Sequence, residues 1–292
     1  MKELIVTTKY NNCKVSKFIF DSFPHLSSGT FYKALRQKDI KINGTRINKD
    51  CTIFTGDTIL VYISDELLIP HFNLDIIYED DNILLINKPA NLEVTGDNSL
   101  TTLIHKEYKD SIFKPMPCHR LDRNTTGIVL FAKNELSLNI LLDKFKKHEI
   151  TKKYLALVYG YPKQKYAKLE SFLFKDTKKS QVYISDTFKK GYQKIITSYY
   201  VIKEYKNNSS LLEVEIETGK THQIRAHLAH IGYPIIGDGK YGINSVNKQF
   251  GAKYQQLQAY KLIFEFTSDS DILNYLKGKT FEIKPNELII VN

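Results

Sequence analysis

The chain has 292 residues, 42% of them apolar and 25% charged, with a formal net charge of +10. This composition excludes a disordered or fibrous protein, and the length is comfortable for two domains with a large core that needs no covalent staples. The positive surplus implies a polyanionic partner (RNA, DNA or an anionic membrane) or simply a lysine-rich surface.

Residues 12–63 read as a small module. VSKFIFDSF (15–23) has helical spacing of its apolar residues, and Ser27 or Ser28 can cap a second helix, TFYKALRQK (30–38), by accepting orphan backbone N–H bonds. Lys33 and Arg36 lie three apart on that helix and share a face. DIKINGTRIN (39–48) reads as two alternating strands around an Asn43-Gly44 hairpin turn, and Gly56-Asp57 makes a further turn before the strand TILVYI (58–63). SDELLIPHFN (64–73) reads as a linker broken by Pro70.

From residue 74 to 292 the pattern is that of a longer domain. Strands are expected at 82–88, 127–133, 153–160, 198–205 and 211–217, and helices at 99–108, 135–148 and 222–231. The strands mostly alternate, which predicts an α+β fold with a mixed, mainly antiparallel central sheet flanked by helices. No run approaches the roughly eighteen apolar residues of a membrane span, and MKELIVTTKY lacks the apolar core of a signal peptide. Cys13, Cys51 and Cys118 form no C-x-x-C pair, and an odd count argues against a disulfide framework, so a reducing, cytoplasmic compartment is expected.

Two segments concentrate chemistry. PCHRLDRNTTGIVLFAKN (117–134) packs His119, Arg120, Asp122, Arg123, Thr125 and Thr126 just before an apolar strand. A carboxylate between two arginines is held in its charged form by their field, and at a loop end it can serve as a nucleophile. The same pattern suits a structural aspartate that caps a turn and is tied down by Arg120 or Arg123. ETGKTHQIRAHLAHIGYPIIGDGKYG (217–242) turns at Gly219, offers Thr221 as a helix cap and ends the helix at Gly232. Arg225, in the first turns, can reach a carboxylate bidentately. His222, His227 and His230 have no acidic or thiol partner in the helix to complete a metal site, and GDGKYG lacks the pattern of a phosphate loop, so it reads as turns.

Together HRLDRNTTG (119–127) followed by LFAK, KKYLALVYG (152–160), TGKTHQIRAHL (218–228) and LQAYKLIFEF (257–266) resemble, in order, the motifs of the RluA-type pseudouridine synthases across roughly residues 74–290. One departure is Thr126, where the family usually carries Ser; the hydroxyl is kept. Residues 12–63 separately resemble the αL-type RNA-binding module first named for a small-subunit ribosomal protein.

The resemblance implies isomerisation of uridine to pseudouridine in structured RNA, on a flipped-out nucleotide and with no metal, nucleotide or redox cofactor. It implies Asp122 as the catalytic aspartate, Tyr154 stacking on the base and assisting proton transfer, and Arg225 pairing with the carboxylate. It further implies Leu262 under the uracil, with Leu257 as the alternative, and Arg120 filling the space the base vacates. Lys33 and Arg36 would grip backbone phosphates. Large-subunit ribosomal RNA is favoured over transfer RNA, a monomer is the default, and no membrane or protein partner is implied. Two competing readings are a non-catalytic RNA-binding or assembly factor, which has no use for Asp122, Tyr154 and Arg225 together, and an aspartate-dependent phosphate-ester hydrolase, which lacks a metal-ligand set.

Overall fold

A computed structural model describes residues 1–23, 26–64 and 74–285, and the chain divides into two compact units, Met1–Asn73 and Leu74–Asn292. The expected linker at 64–73, Ser64 apart, lies outside the described residues, as does the C-terminal end of the longer domain beyond 285.

The first unit runs β1 (Lys2–Ile5), β2 (Cys13–Lys14), α1 (Val15–Ser22), α2 (Ser28–Arg36), β3 (Ile40–Ile42), β4 (Thr45–Ile47), β5 (Thr52–Ile53) and β6 (Thr58–Val61). Its antiparallel sheet has the order β1-β6-β3-β4, with β2 and β5 paired separately. The sheet thus recruits β1, a strand that lies before the expected start of the module. α2 begins two residues earlier than its apolar spacing indicated, because Ser27 is the cap and its hydroxyl accepts from Thr30 N at 3.1 Å. Asn43 and Gly44 have φ of 49° and 80°, as a two-residue hairpin turn requires. Phe18, Ile19, Phe31, Leu35, Ile40 and Ile59 are buried between helices and sheet, while Lys33 and Arg36 are exposed.

The second unit is built on one eleven-stranded sheet. Its strands are β7 (Ile76–Glu79), β8 (Ile83–Lys88), β9 (Met116–Pro117), β10 (Thr126–Ala132), β11 (Ile150–Tyr159), β12 (Tyr166–Asp176), β13 (Gln181–Ser185), β14 (Gln193–Tyr205), β15 (Ser209–Ile216), β16 (Leu257–Phe264) and β17 (Thr280–Glu282). The path is β13-β12-β14-β15-β11-β16-β10-β8-β7, with β17 on β16 and β9 on β10. All pairings are antiparallel except β10 with β16, so the sheet is mixed as its alternation predicts. The helices are α3 (Leu100–Glu107), α4 (Glu135–Lys146), α5 (Gln223–His230) and α6 (Asn244–Gln249). Central strands β8 and β10 are apolar and buried on both faces, whereas β12 alternates buried and exposed because one of its faces meets water. No helix among the described residues is long and apolar enough to cross a membrane.

The parallel β10–β16 pair sits beside the Asp122 loop and depends on one glycine. Gly127 has φ of 108°, and a Cβ there would lie 2.1 Å from the carbonyl oxygen of Ala259. Gly127→Ala is expected to cost on the order of 3 kcal/mol, since both the backbone conformation and the strand contact resist it. Urea unfolding checks this; an unchanged midpoint contradicts it.

Candidate active site

The loop between β9 and β10 carries Asp122, and its shape is held from beneath by a lysine. Lys88, the last residue of β8, is fully buried and its Nζ donates to three carbonyls, Pro89 O at 2.8 Å, Leu92 O at 2.7 Å and Arg123 O at 3.0 Å. Burial pulls its pKa down to about 7, against the opposing pull of Asp122 and Glu93. Around it, Leu92 N donates to Arg123 O, Arg123 Nε donates to Asn91 Oδ1 at 3.0 Å, and Gln255 Nε2 donates to Thr125 Oγ1 at 2.6 Å. Thr125 N closes a turn onto Asp122 O at 3.0 Å. Neither Arg120 nor Arg123 ties down the Asp122 carboxylate, as the sequence-neighbour reading required.

Its partner comes from α5, 103 residues further along the chain. Arg225 Nη1 donates to Asp122 Oδ2 at 2.9 Å. The rest of the guanidinium forks onto Asp238, with Nε to Oδ2 at 2.7 Å and Nη2 to Oδ1 at 2.9 Å. The Asp238 side chain is 0% exposed, that of Arg225 9%, and that of Asp122 21%. Asp238 also accepts from Lys240 N and Tyr241 N at 2.8 and 3.0 Å. Burial alone would raise its pKa, but the arginine and these two N–H groups outweigh it and hold it below the ordinary carboxylate range. Arg225 is likewise held above its usual value despite burial, with Asp238 the larger contributor and Asp122 the smaller. Its guanidinium carbon lies 5.3 Å from the Tyr241 ring centroid. Asp238 was read from sequence only as part of a turn; instead it sets the arginine so that one remaining N–H meets Asp122.

α5 is anchored differently from expectation. Thr221 does not cap it: the helix starts after His222, which has φ of 54° and no capping side-chain bond. The first helical residue, Gln223, does the tethering, accepting from Lys220 N and Thr218 Oγ1 and donating to Ile196 O and Thr197 Oγ1.

These residues open on a cavity of about 260 Å³ lined by Arg120, Asp122, Thr125, Lys152, Tyr154, Arg225 and Leu257, among others. That is just below the size of ordinary small-molecule pockets, which suits one flat ring. Tyr154, on β11, is 5% exposed, and burial, with Asp122 adding to it, raises the pKa of its hydroxyl. Arg120 is exposed at the rim. Leu262 does not reach the cavity; it packs in the core with Ile83, Leu85, Ile128 and Phe264, and Leu257 lines the site in its place. Leu257 pairs with Ala156 and Leu262 with Lys152, so the two leucines sit at different points along β11. Lys33 and Arg36 belong to the first unit and are exposed on α2.

Two histidines of the motifs are held in the neutral form, His227 buried and His119 half-buried. Burial, and secondarily the charge of Lys152, pulls His119 down to about 3, and its Nε2 accepts from Leu130 N at 3.1 Å. Burial, then the nearby His230, pulls His227 down to about 4. Unfolded histidines protonate near 6.5, so the unfolded chain binds the extra protons as the pH falls. The contribution of these two histidines is therefore full above about pH 6.5 and drains away as the pH falls toward about 3. The pair is expected to contribute roughly 3–5 kcal/mol of that loss by pH 4.5. Urea midpoints at pH 7 and 4.5 measure it, and His227→Gln should show a smaller drop than the parent chain.

Comparison with known proteins adds the following. The family model described as RNA pseudouridylate synthase matches residues 82–230. A protein of Rickettsia felis named ribosomal large subunit pseudouridine synthase C is 34% identical over 270 residues, covering 84% of this chain and 86% of that protein. One of Mycoplasma capricolum, named an uncharacterized RNA pseudouridine synthase, is 32% identical and covers 98% of both chains. Among solved structures, human RNA pseudouridylate synthase domain containing 4 aligns with a TM-score of 0.59 at 22% identity, over 73% of this chain and 89% of that one, which shows a shared fold.

Proposed function

This chain belongs to the RluA-type RNA pseudouridylate synthase family and is an RNA pseudouridine synthase, an isomerase, and we propose that it acts on uridine in large-subunit ribosomal RNA with Asp122 as its nucleophile or base. The target is suggested by the names of the relatives from Rickettsia felis and other rickettsiae. One observation carries the assignment of residues: Asp122, Tyr154 and Arg225, distant in sequence, converge on one cavity, with carboxylate and guanidinium 2.9 Å apart.

In the reaction the bond from ribose C1′ to uracil N1 breaks with its electron pair left on N1, the ring turns, C5 bonds to C1′, the C5 hydrogen leaves as a proton, and N1 takes up a proton from solvent. Asp122 supplies the negative charge that meets the electron-poor centre. Arg225 orients that carboxylate through one N–H of Nη1, the nitrogen that Asp238 does not engage. Tyr154 stacks on the ring, and its hydroxyl, held protonated, relays the C5 proton by passing on its own as it takes that one up. The nucleotide enters the cavity out of its stack, an excursion costing a few kcal/mol, and Arg120 at the rim fills the space it leaves. Leu257 packs against the ring. The first unit serves as an RNA-gripping module in which Lys33 and Arg36 contact phosphates.

The test is release of tritium from RNA labelled at uridine C5, isolated from cells that lack the gene. Isomerisation expels the label, and binding does not. Release from the large-subunit fraction is expected; no release from any fraction overturns the reading.

A further inference from the structure

β11 opens with two consecutive lysines that meet opposite fates. Lys153 lies on one face, with Nζ 2.8 Å from Glu213 and 4.0 Å from Glu215. Lys152 lies on the other, the face of Tyr154 and the cavity, half-buried and with no carboxylate within ion-pair distance among the described residues. Its ammonium sits 4.7 Å from the Phe145 ring centroid. Burial pulls its pKa down to about 8, and no acidic group opposes that pull. A cation taken out of water without a counter-charge is an unfavourable arrangement that an incoming anion relieves.

The surroundings say where that anion comes from. Beyond the nucleotide cavity lies a second hollow of about 250 Å³, and His119 and Lys152 line both. Its other walls include Phe145, Lys146, His148 and Thr218. On the RNA reading, the phosphodiester next to a nucleotide seated in the first cavity is the anion nearest to this shared wall.

We propose that Lys152 anchors a phosphate subsite, binding the phosphodiester next to the target nucleotide as the strand passes from the cavity into the hollow lined by Lys146 and His148. The proposal rests on the RNA reading above, and it makes Lys152 a binding residue rather than one that touches the reacting atoms.

Filter binding to in vitro transcribed large-subunit ribosomal RNA over a salt series tests it without turnover. One phosphate contact contributes about 0.7–0.9 to the slope of log affinity against log salt. Lys152→Gln is expected to flatten the slope by about that amount and weaken binding at low salt by about five- to tenfold, while Lys152→Arg keeps both. In the tritium assay, Lys152→Gln should raise KM and leave kcat within about threefold. An unchanged slope overturns the proposal, and so does a collapse of kcat at constant KM. If Lys152→Gln fails to fold, Lys146→Gln, exposed on the same hollow, carries the same slope prediction. A parent chain that binds RNA but releases no tritium overturns the enzymatic assignment instead, and the salt slope still decides the subsite.

Discussion

Asp122→Asn is expected to release tritium at least about a thousandfold more slowly than the parent chain, the scale of losing a nucleophile or general base, while folding normally and still binding RNA. The reason is the division of labour around Arg225. Asp122 receives one N–H from it, whereas Asp238 receives two. An asparagine oxygen can accept the same single bond, and the arginine remains fixed by Asp238, so the site keeps its shape and loses only the charge. A melting temperature within a few degrees of the parent should accompany the loss. Asp122→Glu should fail as well, because a displacement of about 1 Å at a reacting group costs on the order of a hundredfold. An asparagine variant with parental activity would show that this carboxylate does not do the chemistry.

Arg225→Met should instead damage fold and activity together. It strands Asp238, fully buried, with only the N–H groups of Lys240 and Tyr241 for company. Removing one partner of a buried pair costs about 3–5 kcal/mol. For a domain of this size that lowers the melting temperature by roughly 10 °C. Pairing the change with Asp238→Leu removes the stranded charge and should restore part of the stability, yet none of the activity, because Asp122 still lacks its guanidinium. If the double variant were as active as the parent, Arg225 would be a structural residue alone.

The strands and the two motif clusters were legible in the sequence because alternation and turn residues are local signals. Asn43-Gly44 announces its hairpin, and Asp122 and Arg225 stand out within their motifs. What escaped depends on pairing across the chain. Lys88 looks like the polar end of strand 82–88, and only its burial against three carbonyls shows it to be the floor of the Asp122 loop. Asp238 hid in a glycine-rich turn whose closeness is real, since a Cβ on Gly237 would lie 2.0 Å from Tyr254 O, but whose carboxylate also faces inward. Thr221 fits a helix cap by composition, yet Gln223 ties the helix to β14 and leaves the cap unused. Leu257 and Leu262 cannot be told apart by residue type; only tertiary packing separates them, the first at the cavity and the second in the core. Lys152 and Lys153 are identical letters whose environments differ because consecutive strand residues face opposite ways.

The most direct test of the central claim is a crystal structure of the Asp122→Asn protein bound to RNA carrying the target site. The account predicts the target nucleotide out of its helix and inside the cavity, with the residue 122 side chain about 3–3.5 Å from the ribose or ring carbon it attacks. A nucleotide still stacked in its helix, or bound where residue 122 cannot reach it, would contradict the account.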